Sequence, residues 1–317
     1  MPRTRPTQFN QYQRVLIDFM SYKDATQYEE DHTFTDVELG QITPEHLQQW
    51  MCFKAYGTAE PGPDDNPTHA RSTSLKYYKK AISYFMPNGN YSWNVFSNDG
   101  NPTKSKAVND VIKAVLTKEV RKQGKASSAR RALEMAEFEQ SIDLIEAFPD
   151  ADKKYAISAV SRFQTSMIAR IDDTCKFKLE DLKPDPQFAF TLLAQMCWSK
   201  NVRDERDAPN QILLGAMDMR YCVLVGLAVH LETWLESNAG LTTPFLFGID
   251  GEEDPIRLNK SVSNFLKNNI FDNPAFVRVR AGLLGTHSYR KFASTLARRN
   301  GCSRDDVDSR GRWRKSI

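Results

Sequence analysis

The sequence predicts a mainly α-helical protein in two domains, the second holding a small antiparallel β-sheet. Three observations predict this. Apolar residues recur at helical spacing along most of the 317 residues. A small, polar, flexible stretch, GKASSAR at 124–130, separates two such helical regions. Alternation with a period of two is confined to residues 174–198. The length is generous for one domain and comfortable for two, which are placed at 1–126 and 127–317.

The elements follow in order. Tyr12, Val15, Leu16 and Phe19 form one helical face. Thr43 caps a helix over 44–55 that begins with Pro44 and turns Leu47, Trp50 and Met51 inward. After the loop GTAEPGPDDNPT, a helix buries Leu75, Tyr78, Ile82 and Phe85 and ends at Pro87. A further helix buries Val108, Ile112, Val115 and Leu116 and stops by Gly124. Helices resume at 133–147 and 153–170. TCKFKLEDL and QFAFTLLAQMCW read as two strands joined by the turn KPDP, and a long helix is expected from 211 to 236. A last pair of helices follows, the first ended by Gly301 and the second capped by SRDD at 303–306.

Composition excludes several classes. The five cysteines are odd in number, widely spaced and without a C-x-x-C pair, which argues against a disulfide framework or a zinc site and for a reducing compartment. The start MPRTRPTQFNQYQ lacks the apolar core of a secretory signal, and the most apolar run, YCVLVGLAV, is too short to span a bilayer.

Net charge is only +3, yet its distribution is uneven. Residues 104–131 are rich in Lys and Arg, and so are residues 287–317. Two basic segments in a nearly neutral chain point to a polyanion. Lys76, Lys79 and Lys80, with Lys113, Arg121, Lys122, Arg130 and Arg131, are the candidate contacts to that polyanion.

Residues 285–291 read GTHSYRK, and H-x-x-R alone carries little. On a helix, however, His287 and Arg290 share a face, and Trp313 follows after a second short helix. Upstream, MIARIDDTCKFKLEDL supplies Arg170 and, three residues on, Asp173, immediately before the alternating stretch. QMCWSKN then supplies Lys200. In this order the motifs resemble the catalytic core of the tyrosine recombinases, the phage integrase family, and especially its Cre-like branch. The resemblance covers the chain from about Leu133 onward; the first half fits that family's DNA-clamping core-binding domain in general character only. The style of GTHSYRK looks like that of the Crypton-type transposon recombinases.

The resemblance implies strand cleavage and rejoining through a 3′-phosphotyrosine, without ATP, metal or other cofactor. It implies Arg170 and Arg290 on the phosphate oxygens, Lys200 as general acid, and His287 exchanging a proton with the nucleophile or hydrogen-bonding a phosphate oxygen. Trp313 donates to the phosphate, and Asp173, one methylene shorter than the family's Glu, orients its neighbours. Lys200 competes with Arg203 and Arg206 in one polar connection, and Asp172 with Asp173. Double-stranded DNA is the implied partner, a homotetramer on DNA the implied assembly, and an intracellular site, nuclear in a eukaryote, the implied location. DNA integration and transposition by a mobile element are the implied roles. By the family's spacing the nucleophilic tyrosine falls at about residue 322, and no Tyr follows Tyr289. A type IB topoisomerase and a recombinase-derived DNA-binding protein that no longer cuts are the alternatives.

Overall fold

The computed structural model describes residues 8–198, 202, 208–236, 244–248 and 254–313. The chain divides into two compact units, Met1–Ser128 and Ala129–Ile317.

Unit 1 is helical. It contains α1 (Gln8–Lys23), α2 (Asp36–Gly40), α3 (Pro44–Tyr56), α4 (Ser72–Phe85) and α5 (Lys106–Val120). Thr43 caps α3 through a reciprocal capping box with His46, and Ser105 caps α5 by accepting from the Val108 N–H. The helical stripes read from the sequence meet in one core of Phe19, Leu47, Trp50, Met51, Leu75, Ile82, Val108 and Val115. Leu116, expected inside, is 40 % exposed, because α5 turns only its 108–112–115 stripe inward. The helix α2 has no counterpart in the sequence reading. Its five residues are too few to show a period, and it is fixed by the Thr35–Glu38 capping box.

Unit 2 is built around α7 (Ala151–Ser166), which packs against α6 (Met135–Glu146), α9 (Val223–Glu236) and α11 (Thr286–Arg299). Every residue of α7 from Ala156 to Gln164 is buried, so its polar side chains must find partners inside the protein. Arg162 does so by donating to the carbonyls of Met219 and Arg220, to Ser158 Oγ and to Glu146. Gly226 of α9 makes room for that side chain: a Cβ there would lie 2.9 Å from Arg162 Cδ. The remaining helices are α8 (Ile171–Cys175), α10 (Pro255–Phe265), continued as a π-helical turn through Phe271, and α12 (Arg304–Arg310).

A three-stranded antiparallel sheet flanks this bundle, in the order β1 (Leu182–Pro184), β2 (Leu192–Gln195), β3 (Asn210–Leu213). Its placement corrects the sequence reading at three points. Residues 174–181 are not a strand: Phe177 and Leu179 pair with the distant segment 244–246, and that pairing produced the alternation. The first two residues of the expected turn KPDP, Lys183 and Pro184, instead end β1. The chain reverses later, where Asp185 accepts from the Gln187 N–H and Asp185 N–H donates to Thr191, leaving Phe188 and Phe190 exposed. Residues 210–213 form β3 rather than the start of a helix, with Gln211 and Leu213 buried and Asn210 and Ile212 exposed. Among the described residues no helix is long and apolar enough to cross a membrane.

His230 of α9 lies in the core of unit 2, its Nε2 against the Leu246 carbonyl at 2.8 Å and its ring stacked between Trp234 and Phe247. Burial holds its pKa below the ordinary value of 6.5. The unfolded chain therefore binds a proton that the folded chain refuses. This contribution to stability is complete above the unfolded pKa and is lost as pH falls toward the folded one. Thermal melts are expected to show unit 2 losing stability between pH 7 and pH 5. His230→Gln, which keeps an N–H donor and does not titrate, should flatten that slope; an unchanged slope would place the titration elsewhere.

Candidate functional site

Three segments carry the candidate residues, and α7 brings them together. The helix ends at Ser166, earlier than the sequence suggested, and Ile168 takes a left-handed φ of 46°. The chain thereby turns back, and Arg170 comes to sit as the extended N-cap residue of α8 rather than within a helix. Gln164, wholly buried on the last turn of α7, fixes this turn to α11. Its Nε2 donates to Ala169 O at 3.2 Å and to Thr286 O at 3.0 Å. Those carbonyls belong to the residues immediately before Arg170 and His287, so one amide sets the separation of two candidate residues.

His287 and Arg290 stand on one face of α11 as their spacing requires. Arg290 is 5 % exposed. Its Nη2 donates to Gly311 O at 2.6 Å, and its guanidinium carbon lies 4.6 Å from the centre of the Trp313 ring. The tryptophan thus covers a cation. Trp313 is placed by α12, whose Ser303–Asp306 capping box matches the sequence reading, and by its own N–H, which donates to Asp308 O. Asp173, nearly buried, lies 3.8 Å from Arg170 Nη1. Its neighbour Asp172 points elsewhere and accepts from Asn259. Two donors, Arg170 Nη1 and Arg290 Nε, are buried without an acceptor.

Electrostatics follow from this crowding. Burial, and then the charge of Arg170, lower the Arg290 pKa to about 10, which leaves it charged at neutral pH. His287 stands exposed at the lip of the site. The protein beside it and the Arg290 charge hold its imidazole below 6.5, so it is mainly neutral at pH 7. A cation pair and a neutral imidazole around buried, unpaired N–H groups form a receptor for an oxyanion.

Tyr289 cannot serve this site as a nucleophile. It faces away from the His287–Arg290 stripe, is 0 % exposed between Phe138 and Phe271, and burial pushes its pKa up to about 12. Lys200, Arg203 and Arg206 fall between β2 and β3 in sequence and lie outside the described residues. Of the candidate DNA contacts, Lys76, Lys80, Lys113, Arg121, Lys122 and Arg130 are exposed, and Lys79 is half-buried beside Asn109. Arg131 is instead a structural residue, because its five N–H donors meet Glu137 and the carbonyls of Ala132, Arg280 and Ala281.

Sequence reasoning missed Gln164, Gln211, Arg310 and Arg312. Arg310 donates to Ser166 O and Ile212 O, and Gln211 of β3 donates to Arg310 O. Arg312, 7 % exposed, donates to Gln211 Oε1, Arg310 O and Met167 O. The available signal was a polar residue inside an apolar stripe for Gln164 and the paired arginines of RGRW for Arg310 and Arg312; Gln211 carried none.

No protein-family model matches the chain, and no curated protein matches it. Among solved structures, the chain is similar to a lambda integrase tetramer bound to a Holliday junction, with 8% identity over 97% of this chain and 76% of that one and a TM-score of 0.42. It is similar to the XerA recombinase, with 14% identity over 96% and 83% and a TM-score of 0.40. It is also similar to the XerH site-specific recombinase bound to difH substrate, with 10% identity over 97% and 91% and a TM-score of 0.41.

Replacing Gln164 by Leu removes the donor shared by Ala169 O and Thr286 O. Leaving buried carbonyls unpaired costs about 1–3 kcal/mol. Urea unfolding of the variant is expected to show a loss in this range, and a loss below about 0.5 kcal/mol would mean that the bridge does not hold the two segments together.

Proposed function

We propose that unit 2 holds a DNA phosphodiester at the Arg170–His287–Arg290–Trp313 site, and that the protein breaks and rejoins DNA strands there as a site-specific tyrosine recombinase does. The observation that carries this reading is the pair of buried, acceptor-less guanidinium N–H groups, Arg170 Nη1 and Arg290 Nε, on two arginines drawn together from distant parts of the chain. Buried N–H groups of cations are expensive to leave unpaired, so an anion is their natural complement.

The chemistry follows from the residue types. A tyrosine oxygen forms a bond to phosphorus while the bond from phosphorus to the 5′-oxygen breaks, and the electron pair leaves with that oxygen. The product is a 3′-phosphotyrosine and, once the oxygen takes a proton, a 5′-hydroxyl. Arg170 and Arg290 hold the non-bridging oxygens, whose charge grows in the pentacoordinate transition state. His287, mainly neutral at pH 7, accepts the nucleophile's proton. Trp313 covers the Arg290 guanidinium and excludes water from it. Asp173 steadies Arg170. Lys200, in the connection between β2 and β3, is assigned the proton for the leaving 5′-oxygen. Both units contribute phosphate contacts through their basic segments, a homotetramer on DNA is the working assembly, and an intracellular mobile-element role suits the resemblance of GTHSYRK.

Duplex binding is expected to weaken steeply with salt, as bound phosphates release counterions. Arg290→Ala removes a charged hydrogen-bonding partner of one phosphate and should weaken binding by about tenfold or more at fixed salt. Gel shifts across a salt series measure both; binding that ignores salt would overturn the reading.

The 317-residue chain is expected to form no covalent adduct with a nicked suicide duplex, since Tyr289 is buried. A chain extended through a tyrosine near position 322 should form one, visible on a denaturing gel, and Arg290→Ala should abolish it. An extended chain that binds DNA and never forms the adduct would favour a non-cutting DNA-binding protein.

A further inference from the structure

Arg312 has no place in the set of residues derived above, yet it lies in the middle of it. Gly311 on one side accepts from Arg290, and Trp313 on the other covers Arg290. The Arg312 guanidinium reaches Met167 O, at the turn that leads to Arg170. Its backbone adopts φ 54°, a left-handed conformation that glycine takes freely and that costs other residues roughly 1–2 kcal/mol. A strained backbone that bears a buried cation needs a compensating use for the cation.

Charge counting supplies that use. Among the described residues, Arg170, Arg290 and Arg312 share one carboxylate, Asp173. His287 is mainly neutral. At the margins, Arg310 adds a positive charge beside Arg312, while Lys291 and Asp172 act on His287 with opposite signs and offset each other. Arg310 is itself engaged with Ser166 O and Ile212 O, and Asp172 with Asn259. Among the described residues the centre therefore carries at least two net positive charges. A resting phosphodiester carries one negative charge, and the pentacoordinate species formed from it carries two.

We propose that this site is a receptor matched to a doubly charged tetrahedral or pentacoordinate oxyanion, and that Arg312 supplies part of its net positive charge as a positioning residue that acts through space. The inference rests on the reading that the site holds a phosphate. Nη1 and Nη2 of Arg312 remain on Gln211, Arg310 and Met167, so its charge can act without those nitrogens touching the anion. Its charge raises affinity for the dianion more than for the monoanion, which is preferential stabilisation of the transition state over the ground state.

The test uses two small probes and the 317-residue chain. Dimethyl phosphate carries one charge, and methyl phosphate at pH 8 carries two. Each is titrated into 15N-labelled protein and followed at the arginine Nε–H resonances. Methyl phosphate is expected to bind at least about tenfold more tightly. Arg312→Gln keeps amide donors and drops the charge, and should reduce the preference to about threefold or less; Arg312→Lys keeps the charge and should restore most of it. A purely structural Arg312 would weaken both probes alike and leave the ratio unmoved, which overturns the proposal. If Arg312→Gln does not fold, the wild-type ratio and Arg312→Lys still decide: equal binding of the two probes by wild type, or loss of the preference in the lysine variant, overturns it. Failure of wild type to bind either probe is a different result and overturns the phosphate site itself.

Discussion

Burial of the Arg290 guanidinium is the constraint on which unit 2 depends. A cation withdrawn from water needs partners, and its own element gives it none on the side facing the site. The fold answers with one carbonyl, Gly311 O, one aromatic face, Trp313, and one carboxylate at a distance, Asp173. None of these neutralises it by direct contact. The arrangement leaves a buried Nε–H unpaired and a charge not cancelled, a state that a structural arginine such as Arg131, with all five donors matched, does not show. The contrast between the two arginines separates scaffold from site more sharply than burial alone.

Around that charge, neutral groups do the positioning. Gln164 fixes the start of α11 against the turn before α8. Gln211 on β3 is joined to the end of α12 through Arg310 and Arg312. The sheet, the α7 turn and the α12 terminus are thereby held as one frame. Separate groups for holding and for binding let the site keep unsatisfied donors without loosening the fold.

Much of this was legible in the sequence. The helix faces of α1, α3, α4 and α11 and the caps at Thr43 and Ser303 came from local periodicity and local chemistry, and those do not depend on distant residues. His287 and Arg290 were legible as one helix face, whereas Arg170 and Trp313 were singled out by the family resemblance of the motif order. The pairing of 177–179 with 244–246 looks in sequence like a hairpin strand, because alternation reports that a segment is paired and not with what. The sequence marks Gln164 and Arg312 as unusual and does not show what either does. The role of the first requires knowing that Ala169 and Thr286 meet, and that of the second requires a left-handed backbone at a residue that rarely adopts one.

The engagement of Arg131 with Arg280 and Ala281 joins the first residues of unit 2 to a segment about 150 positions later. Gln164 closes a second long loop, to Thr286. These contacts close over more than a hundred residues, and contacts of that span slow folding. On a ribosome adding about 5–20 residues each second, roughly 10–30 s pass between the appearance of Arg131 and that of its partners. Through that interval the apolar faces of α6 and α7 await α11 and rely on the cell to keep them from aggregating. Unit 1 has its whole core in its own sequence before unit 2 begins, so during synthesis it is a finished body carrying an unfinished one.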